Sequence, residues 1–322
     1  MVNFEQNLLP SVPLIAIVGP TAAGKTRLSI ALAQRFNGEI INADSRQVYR
    51  HMDIGTAKPT PQEQQQVPHH LIDILDPDQD FALGAFLSLA HGAIDDIRNR
   101  GRWPILAGGT GQYVWALLEG WDVPRVPPDL EFRRGKEEEV RETGAAALHQ
   151  QLAQIDPQRA GELDPRNVRR VVRALEIYHA TGRPPSDYRK RRPQEEFSLV
   201  VGLTLPREEL YRRIDQRVDR MMELGLLDEV RTLLARGYRW DQGPLASPGY
   251  RELGQHLDGE ISLDQAVQRT KFRTHQLARR QYTWFKLNDP RISWLDALDP
   301  DLEGRAGRML ESFGSGHRPM LQ

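Results

Sequence analysis

The sequence predicts an α/β protein: a parallel sheet core flanked by helices, with a mainly helical insert domain. Three observations predict it. Short apolar, β-branched runs alternate with segments whose apolar residues recur at helical spacing. Glycines and polar residues gather directly after those runs, where a parallel sheet builds its sites. From roughly residue 121 to 196 the runs stop, and only helical patterns and proline-rich joints remain.

In order, "PLIAIVG" reads as a buried strand ended by glycine, and "TRLSIALAQRF" as a helix ended by Asn37 and Gly38. "GEIINADS" is the second strand. "FALGAFLSLAHGAIDDIRNRG" is a long helix stopped at Gly101, and "WPILAGGTG" is a strand running straight into glycines. After the insert, "FSLVVGLTLP" restores a strand, followed by the helical pattern of "REELYRRIDQRVDRMMELGLLDEVRTLLARG". Residues 1–120 and 197–322 are therefore expected to form one core around an insert at 121–196, with two sequential domains as the alternative.

The 322 residues carry a net charge of −1, so no global field draws the chain to nucleic acid or membrane, and any basic surface must be local. Without cysteine there is no disulfide, zinc knuckle or thiol nucleophile. No signal-like or membrane-spanning run is present, and a cytoplasmic location is the expectation.

Gly19 to Thr26, "GPTAAGKT", fits the P-loop pattern between a strand and a helix. Converging backbone N–H groups and the helix N-terminus would hold phosphate oxygens, Lys25 would reach a terminal phosphate, and Thr26 would ligate Mg²⁺. The usual phosphate-cleaving apparatus is incomplete. The strand ending Ala107-Gly108-Gly109-Thr110 carries no acid for the metal, and no guanine-reading motif occurs. The acid at a strand end is Asp44. It could hold metal-bound water, accept a proton from a nucleophile, or cap a helix, and position alone leaves these open. Thr110, among glycines, is a third polar group at that edge.

Two basic stretches stand out. Arg166, Arg169, Arg170 and Arg173 would share one helix face, with "YRKRRP" at the far end of the insert. From Gln265 to Asn288, Arg269, Lys271, Arg273, Arg279, Arg280 and Lys286 are interleaved with Tyr282, Trp284 and Phe285. Cations beside aromatics suit unpaired RNA, though Trp284 and Phe285 also suit a helix core. His69 and His70 read as a structural pair rather than a metal site.

"GPTAAGKT", "NADSRQVYRHMDIGTAKP", "PHHLIDILDP", "GGTGQY", "RRVVRALEIY", "PGYREL" and "RTHQLARRQYTWF" follow one another at familiar spacings. Together, and over nearly the whole chain, they resemble the tRNA dimethylallyltransferase family (tRNA isopentenyltransferases, or IPP transferases), in its bacterial form. The resemblance implies a prenyltransferase that moves a dimethylallyl group from dimethylallyl diphosphate to N6 of adenosine 37, in tRNAs reading codons that start with U. Its P-loop-type core would hold the diphosphate as a leaving group, with Mg²⁺ as cofactor. The implied partners are the tRNA anticodon stem-loop and the prenyl diphosphate, with no membrane, and the protein is expected to be a monomer.

Mapped onto this chain, the resemblance assigns the diphosphate to Gly19, Thr21, Ala22, Ala23, Gly24, Lys25 and Thr26, with Arg217 opposite. Asp44 becomes the general base and Thr110 a hydroxyl beside the reacting amine. The tRNA contacts implied are Asp44, Ser45, Arg46, Gln47 and Thr110; Arg166, Asn167, Val168, Arg169 and Arg170; Gly249, Tyr250 and Arg251; and Gln276 and Arg280. Pro248 departs from the family's usual aliphatic residue, which puts the path of the Gly-Tyr-Arg loop in question. A nucleotide kinase and a non-catalytic RNA-binding NTPase are the rival readings.

Overall fold

The computed structural model describes residues 12–124, 126–189 and 198–315. Lys190 to Pro193 of the cationic run, the expected boundary at 196 and the tail beyond Ser315 lie outside them. The chain divides into two compact units, residues 1–118 with 195–322, and residues 119–194.

The larger unit begins with β1 (Leu14–Val18), α1 (Lys25–Arg35), β2 (Gly38–Asn42), α2 (Pro61–Gln66), β3 (His69–His70), α3 (Leu83–Asn99), β4 (Trp103–Ala107) and α4 (Gly111–Leu118). The smaller unit holds α5 (Leu130–Thr143), α6 (Ala145–Ile155), α7 (Pro157–Glu162) and α8 (Val168–Thr181). The larger unit resumes with β5 (Ser198–Thr204), α9 (Arg207–Glu223), α10 (Leu226–Ala235), α11 (Tyr250–Leu257), α12 (Leu263–Trp284), β6 (Ile292–Asp296) and α13 (Leu302–Gly314).

All pairings in the sheet are parallel, in the order β3-β2-β4-β1-β5-β6. Every residue of β1 is buried, as expected of a central strand covered on both faces. Ile15, Ile17, Leu28, Leu32, Ile105, Val201, Leu203, Ile214 and Leu310 belong to one core cluster that joins the strands to α1, α9 and α13. A second cluster brings Val48, Tyr49 and Met52, just after β2, against Leu226 and Val230 of α10 and Leu253 of α11. That packing fixes the segment carrying Asp44.

The long helical pattern after β5 is two helices, because the chain breaks at Leu224 and Gly225, the latter at φ 96°. β6 and the two-residue β3 were invisible to the periodicity. β3 survives as a strand because His70 Nε2 lies 2.6 Å from Glu39 Oε2, beside Arg100 and Arg102 on the same buried carboxylate. The histidine pair lies outside any metal-ligand cluster, and the described residues contain no such cluster. Among them, no helix is long and apolar enough to cross a membrane.

The smaller unit has its own core of Leu148, Leu152, Leu163, Val171, Val172 and Leu175. Glu176 is buried within it and accepts from Arg133, Arg173 and the Asp129 N–H. Burial pushes its carboxyl up, but the arginine and backbone donors outweigh that and hold it at about 2.

Candidate functional site

The ends of β1, β4 and β2 bring three loops together. After β1, Gly19 runs so close to β5 that a Cβ there would lie 2.5 Å from the Leu203 carbonyl oxygen, so only glycine fits. The loop then enters α1 through Ala22 and Gly24, both at positive φ. The loop leads into the N-terminus of α1, where free backbone N–H groups bind anions, while the Thr21 N–H goes to Gln281 and the Ala23 N–H to Pro20 O. Lys25 folds back over the loop, its Nζ donating to Pro20 O at 2.8 Å and to Gly19 O at 3.1 Å. Burial lowers its pKa to about 8, against the Asp44 carboxylate, which raises it, while Arg217 lowers it further. Arg217, on α9, donates to the Thr21 hydroxyl at 3.4 Å, and burial lowers its pKa too. Two cations held partly desolvated on one loop are a receptor for a multiply charged anion.

After β4 come Gly108 and Gly109, then Thr110. A Cβ on Gly108 would collide with the Ala43 backbone, so the turn lies flush against the end of β2. The Thr110 N–H donates to Ala43 O at 3.1 Å, and its hydroxyl accepts from the Ser45 N–H at 3.0 Å. β4 lies between β1 and β2, so the Thr110 turn separates the phosphate loop from Asp44.

Asp44 is a turn cap as well as a candidate base. Its Oδ1 accepts from the Arg46 N–H at 2.8 Å, closing an Asx-turn rather than starting a helix. Buried Asn42 fixes it from behind, accepting from the Asp44 N–H at 3.0 Å and donating to Asp44 O and Leu71 O. With one oxygen held by the turn, the carboxylate is oriented without being consumed.

The following segment is tied down by residues that sequence spacing did not reveal. Glu229 of α10 accepts from the N–H groups of Asp53, Ile54 and Gly55. Lys58 is buried and donates to Tyr49 O, Asp53 and Asp73. Gln47 Nε2 donates to the Thr56 and Ala57 carbonyls, so that side chain holds the turn. A polar residue inside "GTAKP" was the only hint of Lys58.

Several residues expected at the RNA have partners within the protein. Tyr250 is 0% exposed, and its hydroxyl donates to Glu229 at 2.6 Å, so its ring is core and cannot meet RNA. Gly249 spends its N–H on Glu252 at 2.9 Å, at φ 92°, and Pro248 is accommodated in the preceding turn. Arg251 is the exposed member of that trio. In the smaller unit, α8 starts at Val168, so Arg166 lies off the helix and forks onto Asp164. Arg173 is committed to Glu176 and Val126 O. Of the four arginines only Arg173 is withdrawn from the surface; Arg166, Arg169 and Arg170 are exposed, with Asn167 exposed at the helix start and Val168 half-buried.

On α12, Arg269, Arg273, Arg279 and Arg280 are exposed and Gln276 half-buried, while Lys271 pairs with Asp219. Phe285 is enclosed, which removes it from base stacking, and Tyr282 is half-buried with its hydroxyl paired to Thr204. Trp284 and Phe272, 38% and 55% exposed, are the aromatics left at the surface of this helix.

The chain is similar to known proteins over most of its length. The IPP transferase family model matches residues 47–288, and an isopentenyl transferase model matches residues 12–74. A tRNA dimethylallyltransferase from Roseiflexus sp. (strain RS-1) is 53% identical over 94% of this chain and 99% of its own length. One from Dehalococcoides mccartyi is 46% identical over 94% of this chain and 93% of its own. The crystal structure of the tRNA isopentenylpyrophosphate transferase from Bacillus halodurans superposes with a TM-score of 0.68 at 42% identity, covering 94% of this chain and 98% of that one. A eukaryotic dimethylallyltransferase solved acting on tRNA gives 0.82 at 34% identity, covering 96% and 81%. Matched by the family model across 47–288, and half identical to such relatives over most of its length, the chain belongs to the IPP transferase family.

Proposed function

We propose that the protein transfers the dimethylallyl group of dimethylallyl diphosphate to N6 of adenosine 37, in tRNAs that read codons starting with U, and releases diphosphate. The observation that carries this reading is the joining of an anion-binding loop to an oriented carboxylate through one turn, with Lys25 feeling the charge of Asp44. Relatives bearing the name tRNA dimethylallyltransferase support it.

In this account the loop from Gly19 to Thr26, with Arg217, holds the diphosphate. Adenine N6 is a weak nucleophile because its lone pair is delocalised into the ring. As the N6 pair forms the bond to allylic C1, the C1–O bond breaks and its electron pair leaves on the diphosphate. The N6 proton passes to the Asp44 carboxylate. Lys25 and Arg217 stabilise the charge that develops on the departing oxygen. Thr110 orders the Ser45 backbone on the acceptor side of the site.

A Mg²⁺ ion fits this donor set. The Thr26 hydroxyl is half-exposed at the second position of α1, with no hydrogen bond to a described residue. Mg²⁺ takes few protein ligands beside phosphate oxygens and water. Thr26 would hold it, and it would spread the diphosphate's charge. For the RNA, adenosine 37 must leave its stack, at a cost of a few kcal/mol offset by contacts to the loop and backbone. Exposed Arg251, Arg269, Arg273, Arg280 and the half-buried Gln276 on the larger unit, and Arg166, Arg169 and Arg170 on the smaller, would supply them.

Incubation with Mg²⁺, dimethylallyl diphosphate and unmodified tRNA, followed by nucleoside mass analysis, should show a gain of one prenyl unit on adenosine. Asp44→Asn should lower the rate roughly 10²–10⁴-fold with little change in tRNA affinity. ATP-dependent phosphoryl transfer without prenylation would overturn the reading.

A further inference from the structure

Gln281 differs from its neighbours on α12. Arg279 and Arg280 point to solvent, whereas Gln281 is 7% exposed and turns inward. Its Oε1 accepts from the Thr21 N–H at 2.7 Å, and its Nε2 donates to Gly109 O at 3.1 Å. The amide orientation follows from the partners, since one is an N–H and the other a carbonyl. The fit is close: a Cβ on Gly109 would lie 2.1 Å from Nε2.

These bonds lie on a continuous route through the site. Arg217 reaches the Thr21 hydroxyl, and the Thr21 N–H reaches Gln281. Gln281 reaches Gly109, whose neighbour Thr110 holds the Ser45 N–H beside Asp44. The end of α12 is fixed to the same turn next door. Trp284 fills the space a Cβ on Gly111 would need, and the Trp115 indole donates to Trp284 O at 2.9 Å.

We infer that Gln281 is a positioning residue for the transfer: its amide sets the distance between the loop holding the departing diphosphate and the turn that orders the general base. This rests on the proposed prenyl transfer. A carbon–nitrogen bond forms only when donor and acceptor are held near attack distance, and a misplacement of about 1 Å can cost roughly 10²-fold in rate. A neutral amide suits the task because it offers one acceptor and one donor at once. Leucine would leave both backbone groups unpaired. Glutamate would keep the acceptor for Thr21 but set a second oxygen against the Gly109 carbonyl.

The test compares wild type, Gln281→Leu, Gln281→Glu and Gly109→Ala in the full chain. The readouts are single-turnover prenylation at saturating substrates, the Kd of inorganic diphosphate with Mg²⁺, the Kd of unmodified tRNA, and Tm. Gln281→Leu should lose about 10–100-fold in rate with both dissociation constants nearly unchanged, and Gln281→Glu should fall between it and wild type. Gly109→Ala, which displaces the amide without altering Gln281, should show the same split and decides the matter if Gln281→Leu fails to fold. Wild-type rates in the variants, or rate losses matched by weaker binding and lower Tm, would overturn the positioning role. A wild type that prenylates nothing would instead overturn the function it rests on.

Discussion

The Thr110 hydroxyl accepts the Ser45 N–H at 3.0 Å, which makes the turn after β4 and the segment after β2 one mechanical unit. Thr110→Val keeps the shape and removes the acceptor, leaving a half-buried N–H unpaired. The cost of about 1–3 kcal/mol corresponds to roughly fivefold to 150-fold in rate if it falls on the transition state. Thr110→Ser should retain most activity. Steady-state prenylation of the two variants checks this; loss in Thr110→Ser with Thr110→Val near wild type would assign the role to the methyl group.

Burial pushes the Lys25 ammonium down to about 8 from its ordinary 10.5. Below pH 8 it is already cationic, so an anion binds without recruiting a proton. Between about 8 and 10.5 it is neutral, and a bound anion restores the charge by proton uptake. Affinity for inorganic diphosphate should therefore fall by up to about tenfold per pH unit above 8. Folding stability has the opposite sign: the cost of charged Lys25 is fully present below 8 and vanishes as pH rises through 10.5. Calorimetry in two buffers of different ionisation heat measures the proton uptake. Lys25→Arg should show only the diphosphate's own titration.

Much of this was legible locally. β1, β2, β4 and β5 announced themselves as apolar runs ended by glycine or polar residues, and "GPTAAGKT" carries its own geometry. Side-chain destinations were not legible. Arg280 and Gln281 are neighbours in a basic helix, and only the packing of α12 on the site turns one outward and the other inward. Arg173 sits at the right spacing for an RNA-facing stripe, yet buried Glu176 claims it, and that acid lies one turn further along the helix. Periodicity reports a face; the partner opposite that face comes from elsewhere in the chain.

The two kinds of arginine on α8 should separate experimentally. Arg169→Ala and Arg170→Ala should each weaken tRNA binding across sequences and reduce the salt slope by about 0.7–0.9, with Tm unchanged. Arg173→Ala should instead destabilise the smaller unit by about 1–3 kcal/mol, since Glu176 loses one charged partner but keeps Arg133 and the Asp129 N–H. The depressed Glu176 pKa also makes this unit acid-labile. Its contribution is present above about 4.5 and lost as pH falls toward about 2. Salt-dependent filter binding and thermal melts at several pH values read the two effects.

Tyr250 should behave as a core residue. Tyr250→Phe removes its bond to Glu229, which also holds the amides of Asp53 to Gly55. Stability should drop by about 1–2 kcal/mol with tRNA affinity unchanged. Arg251→Ala should do the reverse. Denaturant melts beside tRNA titrations distinguish them.

The central claim is that the loop from Gly19 to Thr26 holds a leaving group, and that the bond broken is carbon–oxygen. Dimethylallyl diphosphate carrying ¹⁸O at the C1–O bridge tests it directly, with the products of one turnover on tRNA read by mass spectrometry. The account places all of the label in released diphosphate and none in the modified nucleoside. Label recovered in dimethylallyl alcohol, or phosphate transferred to the RNA, would mean phosphorus–oxygen cleavage and would contradict it.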